Sequence, residues 1–98
     1  MLMKRNLNWY EKYQIALKES MTLKDIMNLR SVGQPMAISI RNEAVNYCLK
    51  NNIEMLKGLV PTEAVMAVTE KDLSFYYNKM VLEIESQKMI QGVYHVSA

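Results

Sequence analysis

The stretch Thr22–Asn52, TLKDIMNLRSVGQPMAISIRNEAVNYCLKNN, decides how this chain folds. Thr22 with Asp25 three residues later approximates a capping box built with the shorter acid, so a helix is predicted to open there. Leu23, Ile26 and Met27 supply its inward side, and it stops near Leu29 or Arg30. Gly33 is free to take positive φ and let the chain reverse, and Val32 beside it is expected to turn inward between two helices. Pro35 suits the first position of the next helix, where a missing N–H costs nothing. That helix runs to about Asn51, with Ala37, Ile40, Ala44, Tyr47 and Cys48 recurring as a buried stripe. The small Ala37 and Ala44 allow a close crossing with the preceding helix. A short capped helix, a turn and a longer helix form the layout of a helix-turn-helix, the unit that places one helix in the DNA major groove.

The opposite face of the longer helix carries Ser39, Asn42, Glu43, Asn46 and Lys50. Short polar side chains reach base edges, and Asn pairs well with adenine. The same residues would equally make a plain solvated face, and Glu43 repels phosphates. On the DNA reading, Gln34, Ser39, Asn42 and Asn46 face the groove, while Lys24, Arg30, Arg41 and Lys57 hold phosphates.

Outward from this core (22–52), residues 7–19 are predicted to form a first helix capped by Asn8, with Trp9, Tyr13, Ala16 and Leu17 on one face. Trp9 reads most simply as a core anchor. Downstream, residues 53–60 suggest two short extended pieces about a Lys57-Gly58 turn, a β-hairpin wing with Lys57 at its tip; a plain connecting loop fits as well. C-terminal helices occupy 62–90. Thr62 caps a short one, and Thr69-Glu-Lys-Asp72 repeats the capping pattern before a long one. There Leu73, Tyr77, Met80 and Ile84 form an apolar stripe that either packs on the core or pairs with a second copy as a homodimer contact. The tail from Gly92 onward reads as frayed or strand-like. The fold class expected is mainly α: a helix-turn-helix with a small β-hairpin wing, an extra N-terminal helix and a long C-terminal helix, all within one domain, 1–98.

The composition narrows the function classes. Half of the 98 residues are hydrophobic, so the chain is no disordered tail. No apolar run is long enough for a membrane span, and Met1–Asn6 is not followed by the apolar block of a signal peptide. Cys48 is alone, without a disulfide partner, which suits a reduced, cytoplasmic protein and a buried structural thiol. One His (His95) and one Cys build no common metal site, and Glu83 and Glu85, two apart, do not share a helix face. No phosphate loop and no Ser–His–Asp set occurs, so no enzyme, cofactor or metal is expected. Nine methionines suit an irregular core or a partner surface. Residues 1–60 hold nine Lys/Arg against five Asp/Glu, and residues 61–98 three against five. This asymmetry fits a DNA-facing half and a half that faces elsewhere. It fits chance on a solvated surface too.

The words Leu23-Lys-Asp-Ile-Met, Val32-Gly33, Ala37-x-x-Ile40-Arg41-x-x-Ala44 and Val60-Pro61-Thr62-x-Ala64-Val65 resemble small excisionase-like helix-turn-helix proteins of integrative elements and prophages in Gram-positive bacteria. The resemblance covers residues 22–68. It implies a winged or excisionase-like DNA-binding module with the helix after Gly33 as reader. The sequence departs from that pattern between Asn52 and Val60, where Lys57 is the one basic residue, and in its added N-terminal and C-terminal helices. The function expected is a phage or mobile-element DNA-binding protein, a transcriptional regulator or recombination accessory factor acting on double-stranded DNA. The alternative is a phage-encoded module that binds and inhibits or recruits a host protein.

Overall fold

A computed structural model describes residues 7–97, with side chains from 7 to 89. Met1–Asn6 and the side chain of His95 therefore lie outside the described residues. The order is α1 (Trp9–Ala16), β1 (Ser20–Met21), α2 (Leu23–Arg30), α3 (Gln34–Lys50), β2 (Val60–Pro61), α4 (Thr62–Thr69) and α5 (Leu73–Ser97). The chain is mainly helical, with one small antiparallel sheet in which Met21 pairs with Val60 and Ser20 with Pro61.

Local chemistry sets the element boundaries. Asn8 Oδ1 accepts from the Glu11 N–H at 2.8 Å while Glu11 accepts from the Asn8 N–H, a reciprocal box that fixes the start of α1. The helix ends earlier than residue 19, because Leu17 is already its C-cap and the next residues lead into β1. Thr22 and Asp25 form the expected box at α2. Its C-cap is Ser31, in the left-handed region at φ 54. Here the expectation for Gly33 is corrected: its φ is −79, and it serves as the extended N-cap of α3. The reversal falls on Ser31, whose hydroxyl accepts from Lys12 Nζ at 2.7 Å. Pro35 is second rather than first in α3, still within the turn whose N–H groups lack helical partners. Asn52 takes φ 56 after α3, and the Ile53 N–H returns to the Cys48 carbonyl at 2.9 Å.

The predicted wing hairpin over 53–60 is also corrected. Lys57–Gly58 does turn, with Gly58 at φ 77, but Ile53–Leu56 forms no strand. Val60 pairs instead with Met21, which buries both side chains. An isolated two-stranded ribbon is marginal in water, and the long-range pairing adds apolar burial that a local hairpin lacks. Thr62 does not cap α4. It is that helix's first residue, its hydroxyl donates to the Lys18 carbonyl and its N–H donates to the Glu19 carbonyl. Nor does Thr69 open α5; it donates back to Val65, while Asp72 Oδ1 accepts the Phe75 N–H. The tail expectation is overturned as well, since α5 stays helical through Ser97.

The core joins Ile15 and Ala16 of α1, Met21, Ile26 and Leu29, Ala37, Ala44 and Cys48 of α3, Val60, Ala64 and Val65 of α4, and Tyr76 of α5. α3 packs on both α2 and α4, with the fully buried Ala37 and Ala44 on its inward face. α5 packs along α1. Leu17, expected on the inward face of the first helix, is exposed, and Lys12 takes a buried place instead.

Candidate nucleic-acid interface

α2, the Ser31–Gly33 turn and α3 hold most of the residues that the sequence singles out. Ala37, Ala44 and Cys48 point into the core, so Ser39, Asn42 and Asn46, on the other side of the same cylinder, are exposed. Glu43 and Lys50 lie on that side too and are exposed. Gln34 is exposed at the head of the helix. The sequence pattern and the structure thus agree on which face of α3 is free.

The cations divide. Arg41 and Asn42 line a cleft of about 550 Å³ between α3 and the loop 55–60, and Lys57 and Gly58 line its other wall. Val45, Met55 and Leu59 make its apolar flank. Lys24 is exposed on α2. Asn46 instead borders a smaller depression of about 270 Å³ with Glu43, Tyr47, Lys50 and Val68. Arg30 is turned inward: its guanidinium donates to the Tyr76 hydroxyl at 3.2 Å, tying the end of α2 to α5. Arg30, expected on phosphate, thus has a structural role. Burial pushes the Tyr76 hydroxyl up, and the hydrogen bond and charge of Arg30 oppose that.

The dimerisation stripe does not stay together. Met80 is buried within the chain's own fold, and Tyr77 rests edge-on against Tyr13 at 5.6 Å. Leu73, Tyr77 and Ile84 keep exposed surface. The physical reason is that α1 occupies the side of α5 that the stripe shares with Tyr76.

Other residues stand out only in three dimensions. Lys12 is buried, donates to Ser31 and sits 4.5 Å above the Trp9 ring. Burial, and then the Arg30 charge, hold its ammonium below the ordinary lysine range. Glu83 of α5 accepts the Trp9 and Tyr10 N–H groups at 3.1 and 3.3 Å, which places a carboxylate on the positive end of α1. Leu49 and Leu56 are 65% and 68% exposed, large apolar groups beside the polar face and the cleft. The i, i+3 spacing of Trp9 and Lys12 and the i, i+4 spacing of Phe75 and Lys79 are the sequence signals for part of this set; Glu83 carries none.

Cys48 is fully buried between α3 and α4, and burial, with Glu63 adding to it, pushes its thiol up, so it stays protonated and inert. Among the described residues no cluster of His, Cys, Asp or Glu has the geometry to hold a metal ion, and no helix is long and apolar enough to cross a membrane. Comparison with family models, curated proteins and solved structures finds no match to this chain.

Proposed function

We propose that this chain binds double-stranded DNA through a helix-turn-helix formed by α2 and α3, with α3 as the reading helix. The observation that carries it is the exposed row Ser39, Asn42 and Asn46 opposite the buried Ala37, Ala44 and Cys48, with Arg41 and Lys57 facing each other across the adjoining cleft. Amide side chains supply the paired donor and acceptor that a base edge in the major groove presents. Arg41, Lys57 and the exposed Lys24 supply sequence-independent attraction to phosphates. The biological role that fits is that of a cytoplasmic regulator or recombination accessory factor of a phage or mobile element, without catalytic activity of its own. This last step rests on the resemblance of short sequence words to excisionase-like proteins.

A homodimer, paired through Leu73, Tyr77 and Ile84, would raise the affinity of so weakly charged a module by linking two of them. Anisotropy titration with duplexes from the control region next to the gene tests the reading. Asn42→Ala is expected to cost about 1–3 kcal/mol on the preferred site and little on unrelated duplex. Binding that is absent even at low salt, or indifferent to both Asn42→Ala and an Arg41→Gln/Lys57→Gln pair, defeats it. The exposure of Leu49, Leu56 and Met36 favours a second reading, a module that binds a host protein with the same face. A stoichiometric protein partner lost on Leu56→Ser, with no duplex binding, would select it.

A further inference from the structure

Four cations gather on one aromatic cluster where α1, α2 and α5 meet. The rings are Trp9, Phe75 and Tyr76, with centroids 5.9 Å apart for Trp9–Phe75 and 5.0 Å for Phe75–Tyr76. Lys12 and Lys79 place their ammonium groups 4.5 and 5.8 Å from the Trp9 centroid. Lys71 lies 4.9 Å from the Phe75 centroid, and Lys79 5.7 Å from it. Arg30 completes the group through its hydrogen bond to Tyr76.

Like charges held this close repel one another, and the ring faces offset only part of that cost. Among the described residues none of the four has a carboxylate at ion-pair distance; the ion pair there is Lys18–Asp25. Asp72 and Glu83 are turned to backbone N–H groups instead. Lys12 is buried on Ser31 and Arg30 is bonded to Tyr76, so the partly exposed Lys71 and Lys79 are the members left to reach an anion, with the other two adding to their field. The lysine stems are ordered on the rings, so less rotamer freedom remains to be lost when an anion is taken up. Ammonium and guanidinium groups suit phosphate oxygens and carry no base-reading pattern.

We infer that this junction is a second contact with the phosphate backbone of duplex DNA, adjoining the α3 site. Arg30 ends α2 and stands just before the turn into Gln34, the first residue of α3, so the patch borders the head of the reading helix. The inference rests on the DNA reading, and it changes the part played by the acidic C-terminal segment, whose Lys71 and Lys79 join the DNA-facing side.

The test is a salt titration of duplex binding by the wild type and a Lys71→Gln/Lys79→Gln variant. Two lost phosphate contacts make the slope of log K against log salt shallower by about 1.8 and weaken binding about 30-fold at roughly physiological salt. Discrimination between preferred and unrelated duplex stays unchanged, because no base contact is removed. A Lys71→Arg/Lys79→Arg variant keeps the charge and restores the slope, and melting curves of both variants report folding separately. A wild type that binds DNA while the glutamine variant keeps its slope overturns the patch and leaves the α3 reading standing. No duplex binding by the wild type at low salt overturns both. Binding of polyglutamate without duplex reassigns the patch to an acidic protein and likewise overturns the inference.

Discussion

Replacing Asp25 by alanine should destabilise the fold by about 1.5 kcal/mol near neutral pH, and the loss should fade in acid. The carboxylate accepts the Thr22 N–H at 3.0 Å and the Lys18 ammonium at 3.0 Å, and it lies in the first turn of α2. A lost capping-box partner costs about 1 kcal/mol. The Lys18 side chain is 52% exposed, so its pair contributes at most about 0.5 kcal/mol. The helix dipole adds a few tenths, and relief of the carboxylate's own desolvation subtracts a similar amount. Burial alone would push the Asp25 carboxyl up, but the Thr22 N–H, the bond and charge of Lys18 and the Thr22 hydroxyl together outweigh it and hold the group below its ordinary value. The sign follows from linkage. A carboxyl depressed in the folded state contributes fully above its unfolded value of about 3.9, and that contribution is lost as pH falls through the lower, folded value. Urea denaturation of wild type and Asp25→Ala at about pH 7 and about pH 2 measures both ends, with equal m-values as the check that only stability has changed. The gap should narrow at the acid end, because the protonated carboxyl keeps an acceptor for the Thr22 N–H but loses its charge. A gap of the same size at both pH values, or one below about 0.5 kcal/mol at neutrality, would refute the assignment of Asp25 as an ionised cap.

Two further outcomes test the framework around the site. Cys48, buried and protonated, should react with a thiol reagent at least about 10³-fold more slowly in the native protein than in urea, because labelling requires an opening that costs most of the global stability; native labelling at the unfolded rate would mean that α3 and α4 are not packed as described. Glu83→Ala should cost about 1–2 kcal/mol by releasing two N–H groups of α1, and Glu83→Gln, which keeps an acceptor without the charge, about half of that. A transition midpoint unmoved by either change would show that α5 does not anchor the start of α1.

The sequence made the helices of the central stretch legible where local chemistry and periodicity agreed. Thr22 and Asp25 announce α2, and the Ala37, Ala44 and Cys48 stripe announces the inward side of α3; both are realised. It was less informative where a long-range partner outbid a local one. Gly33 looked like the reversal point because glycine tolerates positive φ at least cost, yet Ser31 takes that conformation and pairs with Lys12. Val60 looked like half of a hairpin, yet its partner is Met21, far away in the chain. Thr62 looked like a cap, yet its hydroxyl ties α4 to the Lys18 carbonyl. In each case the residue type was suited to its local role, and the deciding contact came from an element that no short window contains.

The candidate site divides along the same line. Exposure of Ser39, Asn42 and Asn46 follows from helical spacing alone, so the polar row could be read directly. The cations could not be sorted that way, because whether a long side chain faces solvent depends on what lies beside it. Arg41 and Lys57 converge because the loop 55–60 folds back over α3 to reach its pairing with β1. Arg30 turns to Tyr76 because α5 lies against the end of α2. Lys79 belongs by sequence to the acidic segment, yet the α1–α5 packing sets it over Trp9 beside Lys12. Counting charge by segment therefore separates two halves that the fold reunites at one junction. On the proposed DNA reading, the salt dependence of binding, which counts phosphates contacted rather than residues in a segment, is the quantity in which that difference would appear.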